Sequence, residues 1–221
     1  MSRIVLKVGG AVAGEAATLA LALAKQHEVC VVHGAGPQIS AELQRAGLPV
    51  RFVHGRRVTS WEALAVVRDS FTAVNADVCA AIGPRAVSLF GDAIGLEAVL
   101  VPELGHVGSP LPSSPPAVEE AFAAGLVPVV APLAVGPLNV NADEAAAALA
   151  VGLGADKLLF VTDVPGLLLG GVVASEIGVA EAERLLAAGV FAGGIVPKLE
   201  AAVTAARGGV DATIGATAVV A

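Results

Sequence analysis

"RIVLKVGGAV", Arg3 to Val12, drives an apolar run into a lysine and a pair of glycines. A short run rich in β-branched residues reads as a strand buried on both faces, and the glycines read as the turn that ends it. The chain has only four lysines, Lys7, Lys25, Lys157 and Lys198, so one placed at that junction calls for a reason. The pattern recurs in "EVCVVHGAGPQIS", Glu28 to Ser40, where a second apolar run enters a second glycine turn that opens a helix.

Repetition of this unit decides the fold class. Apolar runs at Arg3–Lys7, Glu28–His33, Ala86–Phe90, Leu126–Ala131, Lys157–Thr162 and Val210–Ile214 read as strands. Between them lie alanine-rich amphipathic segments at Gly14–Lys25, Gln38–Ala46, Trp61–Ile82, Val118–Ala124, Asp143–Leu153, Ala180–Ala188 and Val196–Arg207, most of them closed by glycine. Strand and helix in alternation predict an α/β fold, a three-layer αβα sandwich around a mostly parallel open sheet. "HVGSPLPSSPPAVEE", His106 to Glu120, reads either as a surface loop leading into a helix or as a linker between two halves.

With 221 residues, 56% of them apolar, the chain can bury a core sufficient for one domain or two tightly joined lobes. Its mean hydropathy of +0.80 comes from short Ala, Gly and Val segments, none approaching the roughly 18 apolar residues that a membrane span needs. No membrane partner is expected, and an N-terminus without a signal-peptide pattern points to the cytoplasm. The net charge of -7, the lack of any basic run and the scarcity of aromatic residues argue against a nucleic-acid partner. An anion bound by such a chain needs a local device to overcome the global field. Cys30 and Cys79 sit in apolar stretches outside any CxxC pattern and read as buried thiols.

The glycine turns are candidates for that device, because glycine lets a backbone approach a ligand and a helix N-terminus offers unpaired N–H groups to an anion. Standard fingerprints do not apply. No Gly-Lys pair exists for a GxxxxGK[ST] phosphate loop. A GxGxxG reading of Gly34–Ala35–Gly36 fails at Ile39, and neither GxSxG nor HExxH occurs. Four polar islands remain: "GRRVTS" with Arg57, "LNVNADEAA" with Asn139, Asn141 and Asp143, "FVTDVPG" with Thr162 and Asp163, and "GGIVPKLEAA" with Lys198. Each has a plain structural reading as well. Lys7 and Lys198 could be solvated lysines, Asp143 a helix N-terminal acid favoured by the macrodipole, the asparagines turn formers, and one of Arg56 and Arg57 a surface charge. His33 reads as satisfying buried backbone groups rather than as a base.

In this order, "KVGGAV", "HGAGPQI", "GRRVT", "LGHVG", "NVNADEAA", "TDVPGLL" and "GGIVPKLEAA" resemble the amino-acid kinase superfamily, and within it the N-acetylglutamate kinases of arginine biosynthesis. The resemblance runs from Ile4 almost to the last residue and implies a single domain over 1–221. In it, an N-terminal lobe to about residue 135 would hold the acyl amino acid and a C-terminal lobe from about 136 would hold ATP. It implies transfer of the γ-phosphoryl of ATP to the side-chain carboxylate of N-acetyl-L-glutamate. Lys7 and Lys198 would flank the phosphoryl group, and Asp143 would hold both ammonium groups. Gly9, Gly10 and the Gly34–Ala35–Gly36 turn would contact its oxygens through N–H groups. Arg57 would pair with the substrate α-carboxylate, Asn139 would hold the acetamido end, and Thr162 and Asp163 would lie beside the nucleotide. Mg2+ would arrive on ATP, with no protein metal site.

Two departures qualify these expectations. The middle residue of the second turn is Ala35 where many relatives carry glycine, so that position must keep an ordinary φ. The chain also passes from "DATIG" almost directly to "ATAVVA", where relatives usually have a further loop and helix. The absence of a helix before strand 1 implies, by the resemblance, an arginine-insensitive homodimer. Two other readings stay open: a carrier-linked N-acetyl-aminoadipate kinase, and a catalytically weak nucleotide or amino-acid sensor.

Overall fold

The computed structural model describes residues 1–9 and 13–221, so Gly10 of the first glycine turn lies outside the described residues. Its centre is an eight-stranded sheet in the order β14-β16-β15-β11-β1-β2-β8-β5. The strands are β1 (Arg3–Val8), β2 (Glu28–His33), β5 (Ala86–Phe90), β8 (Val127–Ala131), β11 (Lys157–Val161), β14 (Glu176–Gly178), β15 (Asp211–Ile214) and β16 (Thr217–Val220). The run from β5 to β15 is parallel throughout, and β16 turns back antiparallel to β15.

Alternation along β1 assigns the two faces. Ile4, Leu6 and Val8 join a buried cluster with α1 (Ala13–Leu23), α2 (Gly36–Arg45) and α3 (Trp61–Ile82). Val5 joins the opposite cluster, with α5 (Pro116–Ala123), α6 (Ala142–Gly152), α7 (Val179–Ala187) and α8 (Ile195–Arg207). The result is the expected αβα sandwich. Successive strand side chains point to opposite faces, so Lys7 shares the face of Val5 and meets α6 and α8 where the apolar core ends. Its neighbours in register are Val32 on β2 and Phe160 on β11.

Smaller sheets sit beyond the C-terminal edge of the main one. β6 (Ala98–Leu100), β7 (Val107–Pro110), β9 (Leu133–Ala134) and β10 (Leu138–Val140) pair in the order β6-β7-β10-β9, and the short α4 (Gly91–Ile94) packs beside β9. β3 (Phe52–Val53) and β4 (Arg56–Arg57) form a hairpin whose turn residues His54 and Gly55 both have positive φ, 46° and 73°, the left-handed pair that matches strand twist. β12 (Leu168–Leu169) and β13 (Val172–Val173) form a second hairpin.

Two local expectations are corrected, and the final segment is a strand. His106 to Glu120 is not loop throughout: it supplies β7 and most of α5, leaving residues 111–115 as the connection. Thr162 lies just past the end of β11. "ATAVVA" supplies β16, returned by Gly215 at φ 56°. No helix among the described residues is long and apolar enough to cross a membrane.

Candidate functional site

Ligands of open α/β sheets bind in the crevice beyond the carboxyl ends of the strands, and Lys7 and His33 stand at those ends of β1 and β2. A cavity of about 180 Å³ opens there, lined among others by Lys7, Gly34, Ala35, Gly36, Arg57, Asn139 and Asp143. Seven sequence-selected residues, drawn from β1, the second glycine turn, the hairpin, β10 and α6, thus line one cavity.

Lys7 Nζ lies 2.8 Å from Asp143 Oδ1, and Lys198 Nζ lies 3.3 Å from the same oxygen. Lys7 and Asp143 are each 7% exposed. Burial pulls the Lys7 pKa below its ordinary value; Asp143 opposes that shift and Lys198 adds to it. Two ammonium groups around one carboxylate leave a net positive charge, which is the local device a chain of net charge -7 requires. Asp143 is held by the start of its own helix, where Asn141 Oδ1 accepts from the N–H groups of Asp143 (2.8 Å) and Glu144 (3.3 Å) as an N-cap. Lys198 lies in the first turn of α8, its Nζ 5.9 Å from the centre of the Phe160 ring.

Arg57 supplies a second positive charge. It is 6% exposed and its guanidinium stacks 4.5 Å over the Phe52 ring. Its Nη2 donates to Gly36 O (3.0 Å) and Ser40 Oγ (2.8 Å), and its Nη1 has no hydrogen-bond partner among the described residues. Burial alone lowers its pKa. A desolvated guanidinium without a carboxylate is costly in the free protein and ready for an anionic ligand. Asn139, 7% exposed, donates from Nδ2 to Thr59 Oγ1 at 3.0 Å, and Thr59 Oγ1 donates to Arg57 O at 2.8 Å. One buried hydroxyl therefore connects the two residues.

Cβ atoms built on Gly9 and Gly36 would meet nothing within 4 Å, so both glycines border open space. Gly34 donates its N–H to Val8 O at 2.9 Å, joining the ends of β1 and β2. Ala35 adopts φ -142°, an ordinary region, and its side chain is buried. Neither α2 nor α8 has a side-chain cap at its N-terminus, so their first N–H groups lack that partner. His33 is fully buried, and its Nε2 accepts from Asn75 Nδ2 at 3.1 Å. The orientation of that amide follows from Ser88 Oγ, which donates to Asn75 Oδ1 at 2.6 Å. Burial pushes the His33 pKa down to about 4, so the imidazole is neutral.

Lys198, Gly9, Thr162 and Asp163 do not line this cavity. Lys198 reaches it through Asp143; Thr162 donates to Asp163 Oδ1 at 3.3 Å on the more exposed side, beyond β11. Sequence reasoning missed Phe52, Ser40 and Thr59, which hold Arg57 and Asn139. It also missed the two-point pairing of Arg56 with Glu144 (2.8 Å at both contacts). An apolar residue preceding a glycine turn was the available signal for Phe52. Among the described residues no group of three or more His, Cys, Asp or Glu is placed to hold a metal ion.

Comparison with known proteins agrees with this architecture. Residues 2–215 match the model of the amino acid kinase family. The acetylglutamate kinase of Rubrobacter xylanophilus is 44% identical over 97% of this chain and 88% of its own length. That of Dinoroseobacter shibae is 38% identical over 96% and 80%. The crystal structure of smu.665 from Streptococcus mutans superposes with a TM-score of 0.87 at 26% identity, covering 99% of this chain and 98% of that one.

Proposed function

The chain belongs to the amino acid kinase family, and from that membership we propose that it phosphorylates the side-chain carboxylate of N-acetyl-L-glutamate with ATP, the acyl-phosphate-forming step of arginine biosynthesis. The observation that carries the reading is Arg57. A buried guanidinium with an unpartnered Nη1 lines the same cavity as the Lys7–Asp143 pair, so one small molecule with two carboxylates can satisfy both ends.

In this reading Arg57 takes the α-carboxylate and Asn139 the acetamido group, which leaves the side-chain carboxylate towards Lys7. That carboxylate is already ionised and needs no general base. Its oxygen attacks the γ-phosphorus of ATP, the bond to the β–γ bridging oxygen breaks, and ADP leaves. Lys7 and Lys198 neutralise charge on the two sides of the transferring group, while Asp143 keeps the ammonium groups from repelling each other apart. Gly9, Ala35 and Gly36 offer backbone N–H groups to its oxygens, the Gly34 N–H being held by Val8 O, and Thr162 and Asp163 border the nucleotide. Mg2+ bound to the ATP phosphates would offset their charge. The division of labour near residue 135, a homodimeric assembly and a cytoplasmic setting belong to the same proposal.

The test is hydroxamate formation by the purified protein with Mg-ATP, hydroxylamine and free N-acetyl-L-glutamate, with N-acetyl-aminoadipate as the rival acceptor. Product from N-acetyl-L-glutamate that is lost in Lys198→Ala supports the reading. Product only from the longer acceptor, or none from either, defeats it.

A further inference from the structure

Arg56 lines the same cavity and carries a charge that the proposed chemistry does not use; its side chain is instead tied to α6. Its Nε and Nη2 donate to the two carboxylate oxygens of Glu144, each at 2.8 Å, and Nη2 also donates to Ser109 Oγ at 3.1 Å. Both side chains are largely buried, with relative exposures of 25% and 21%. Glu144 directly follows Asp143 in the first turn of α6. Arg56 directly precedes Arg57 on β4.

Two further contacts fix the same hairpin. Asn141, the N-cap of α6, donates from Nδ2 to Gly55 O at 3.1 Å. A Cβ on Gly55 would come within 3.1 Å of the Pro197 side chain in the first turn of α8, so the tip of the hairpin rests against that helix. The hairpin that carries Phe52 and Arg57 is therefore fastened to the two helix starts that carry Asp143 and Lys198. A two-residue hairpin of this length has no independent stability, so its position depends on such attachments.

We propose that the Arg56–Glu144 pair is a positioning latch that sets the distance between Arg57 and the Lys7–Asp143–Lys198 cluster, and so selects the length of acceptor that the site can phosphorylate. The inference rests on the reading of Arg57 as the α-carboxylate anchor. A two-point Arg–carboxylate pair constrains direction as well as distance, whereas a lysine or a single contact at position 56 would leave the hairpin free to tilt. Glu103 and Glu200 also bias the same guanidinium, so substitution at Arg56 disables the latch whichever carboxylate holds it.

The experiment is a double-mutant cycle of Arg56→Gln and Glu144→Gln in the full chain, with KM and kcat measured for N-acetyl-L-glutamate, for N-acetyl-aminoadipate and for Mg-ATP. A latch predicts that Arg56→Gln raises KM for N-acetyl-L-glutamate about tenfold and narrows its preference over the longer acceptor, with KM for ATP unchanged. The double variant should match Arg56→Gln alone, because the second substitution removes a partner already lost. Arg56→Lys, which keeps the charge without the fork, tests geometry and should recover only part of the effect. Unchanged acceptor KM and preference in Arg56→Gln, additive effects in the cycle, or parallel losses for both substrates with a lowered melting temperature would each overturn the latch. A wild-type protein inactive on both acceptors would instead overturn the reading of function on which it rests.

Discussion

Lys7 Nζ stands 2.8 Å from Asp143 Oδ1, with both residues nearly excluded from solvent. Strand alternation aims the lysine at α6, and the Asn141 cap fixes the helix start that holds the aspartate. Such a pair is weak evidence of stabilisation, because desolvation offsets most of the attraction; its geometry suits positioning of charge.

Removing the shared carboxylate should therefore damage both fold and reaction. Asp143→Asn leaves two buried ammonium groups facing each other and should lower stability by about 3 kcal/mol, with hydroxamate formation falling about a thousandfold. Lys198→Ala keeps the Lys7–Asp143 pair and should lose about a hundredfold in kcat with a near-normal melting temperature. Thermal melts beside kinetics separate the two, and a Lys198→Ala variant within threefold of wild type in kcat would remove that lysine from the chemistry.

Arg57→Lys retains a cation but loses the planar fork. KM for N-acetyl-L-glutamate should rise about a hundredfold with kcat changed far less. The discriminating substrate is 4-acetamidobutyrate, which keeps the reacting carboxylate and lacks the α-carboxylate. Wild type should use it poorly and Arg57→Lys no worse; a further loss with this acceptor would show that Arg57 does something other than bind the α-carboxylate.

His33 gives the acid limb of stability a predictable sign. In the unfolded chain an imidazole takes up its proton below about 6.5, while in the fold it does so only below about 4. Between those values the unfolded state binds more protons, so stability falls as the pH drops from 6.5 to 4, by about 3 kcal/mol in total. His33→Asn should flatten the dependence over that window relative to wild type, as read from urea unfolding at a series of pH values. Equal slopes in the two proteins would show that the imidazole is not the group responsible.

The long elements were legible because their periods had room to show. β1, β2, β5, β8 and β11 and the helices α1, α3, α6 and α8 fall within about two residues of where apolar runs and glycine stops put them. The two-residue β3 and β4 and the short strands around Asn139 were not legible, because two or three residues are too few to show a period, and Asn139 also pairs with the distant Val107. Lys7, Asp143 and Lys198 were singled out by residue type and setting, but their convergence on one oxygen depends on strand alternation and helix placement together. Arg56 was ambiguous because adjacent charges read alike in sequence. The resemblance selects Arg57 for the carboxylate; the fold lines the cavity with both arginines and pairs Arg56 with Glu144.

Asn141 serves two structures at once, and two substitutions separate them. Its Oδ1 caps α6 while its Nδ2 donates to Gly55 O on the hairpin. Asn141→Asp keeps a capping acceptor, with charge favourable at a helix N-terminus, but removes the donor. Its melting temperature should stay near that of wild type while KM for the acceptor rises a few-fold. Asn141→Ala loses both the cap and the tether and should cost about 1 kcal/mol of stability, with a fall in kcat as the Asp143 turn loosens. Should Asn141→Asp leave KM untouched, the tether to Gly55 would have no bearing on the acceptor; should Asn141→Ala melt like wild type, the cap would not be what holds Asp143 in place.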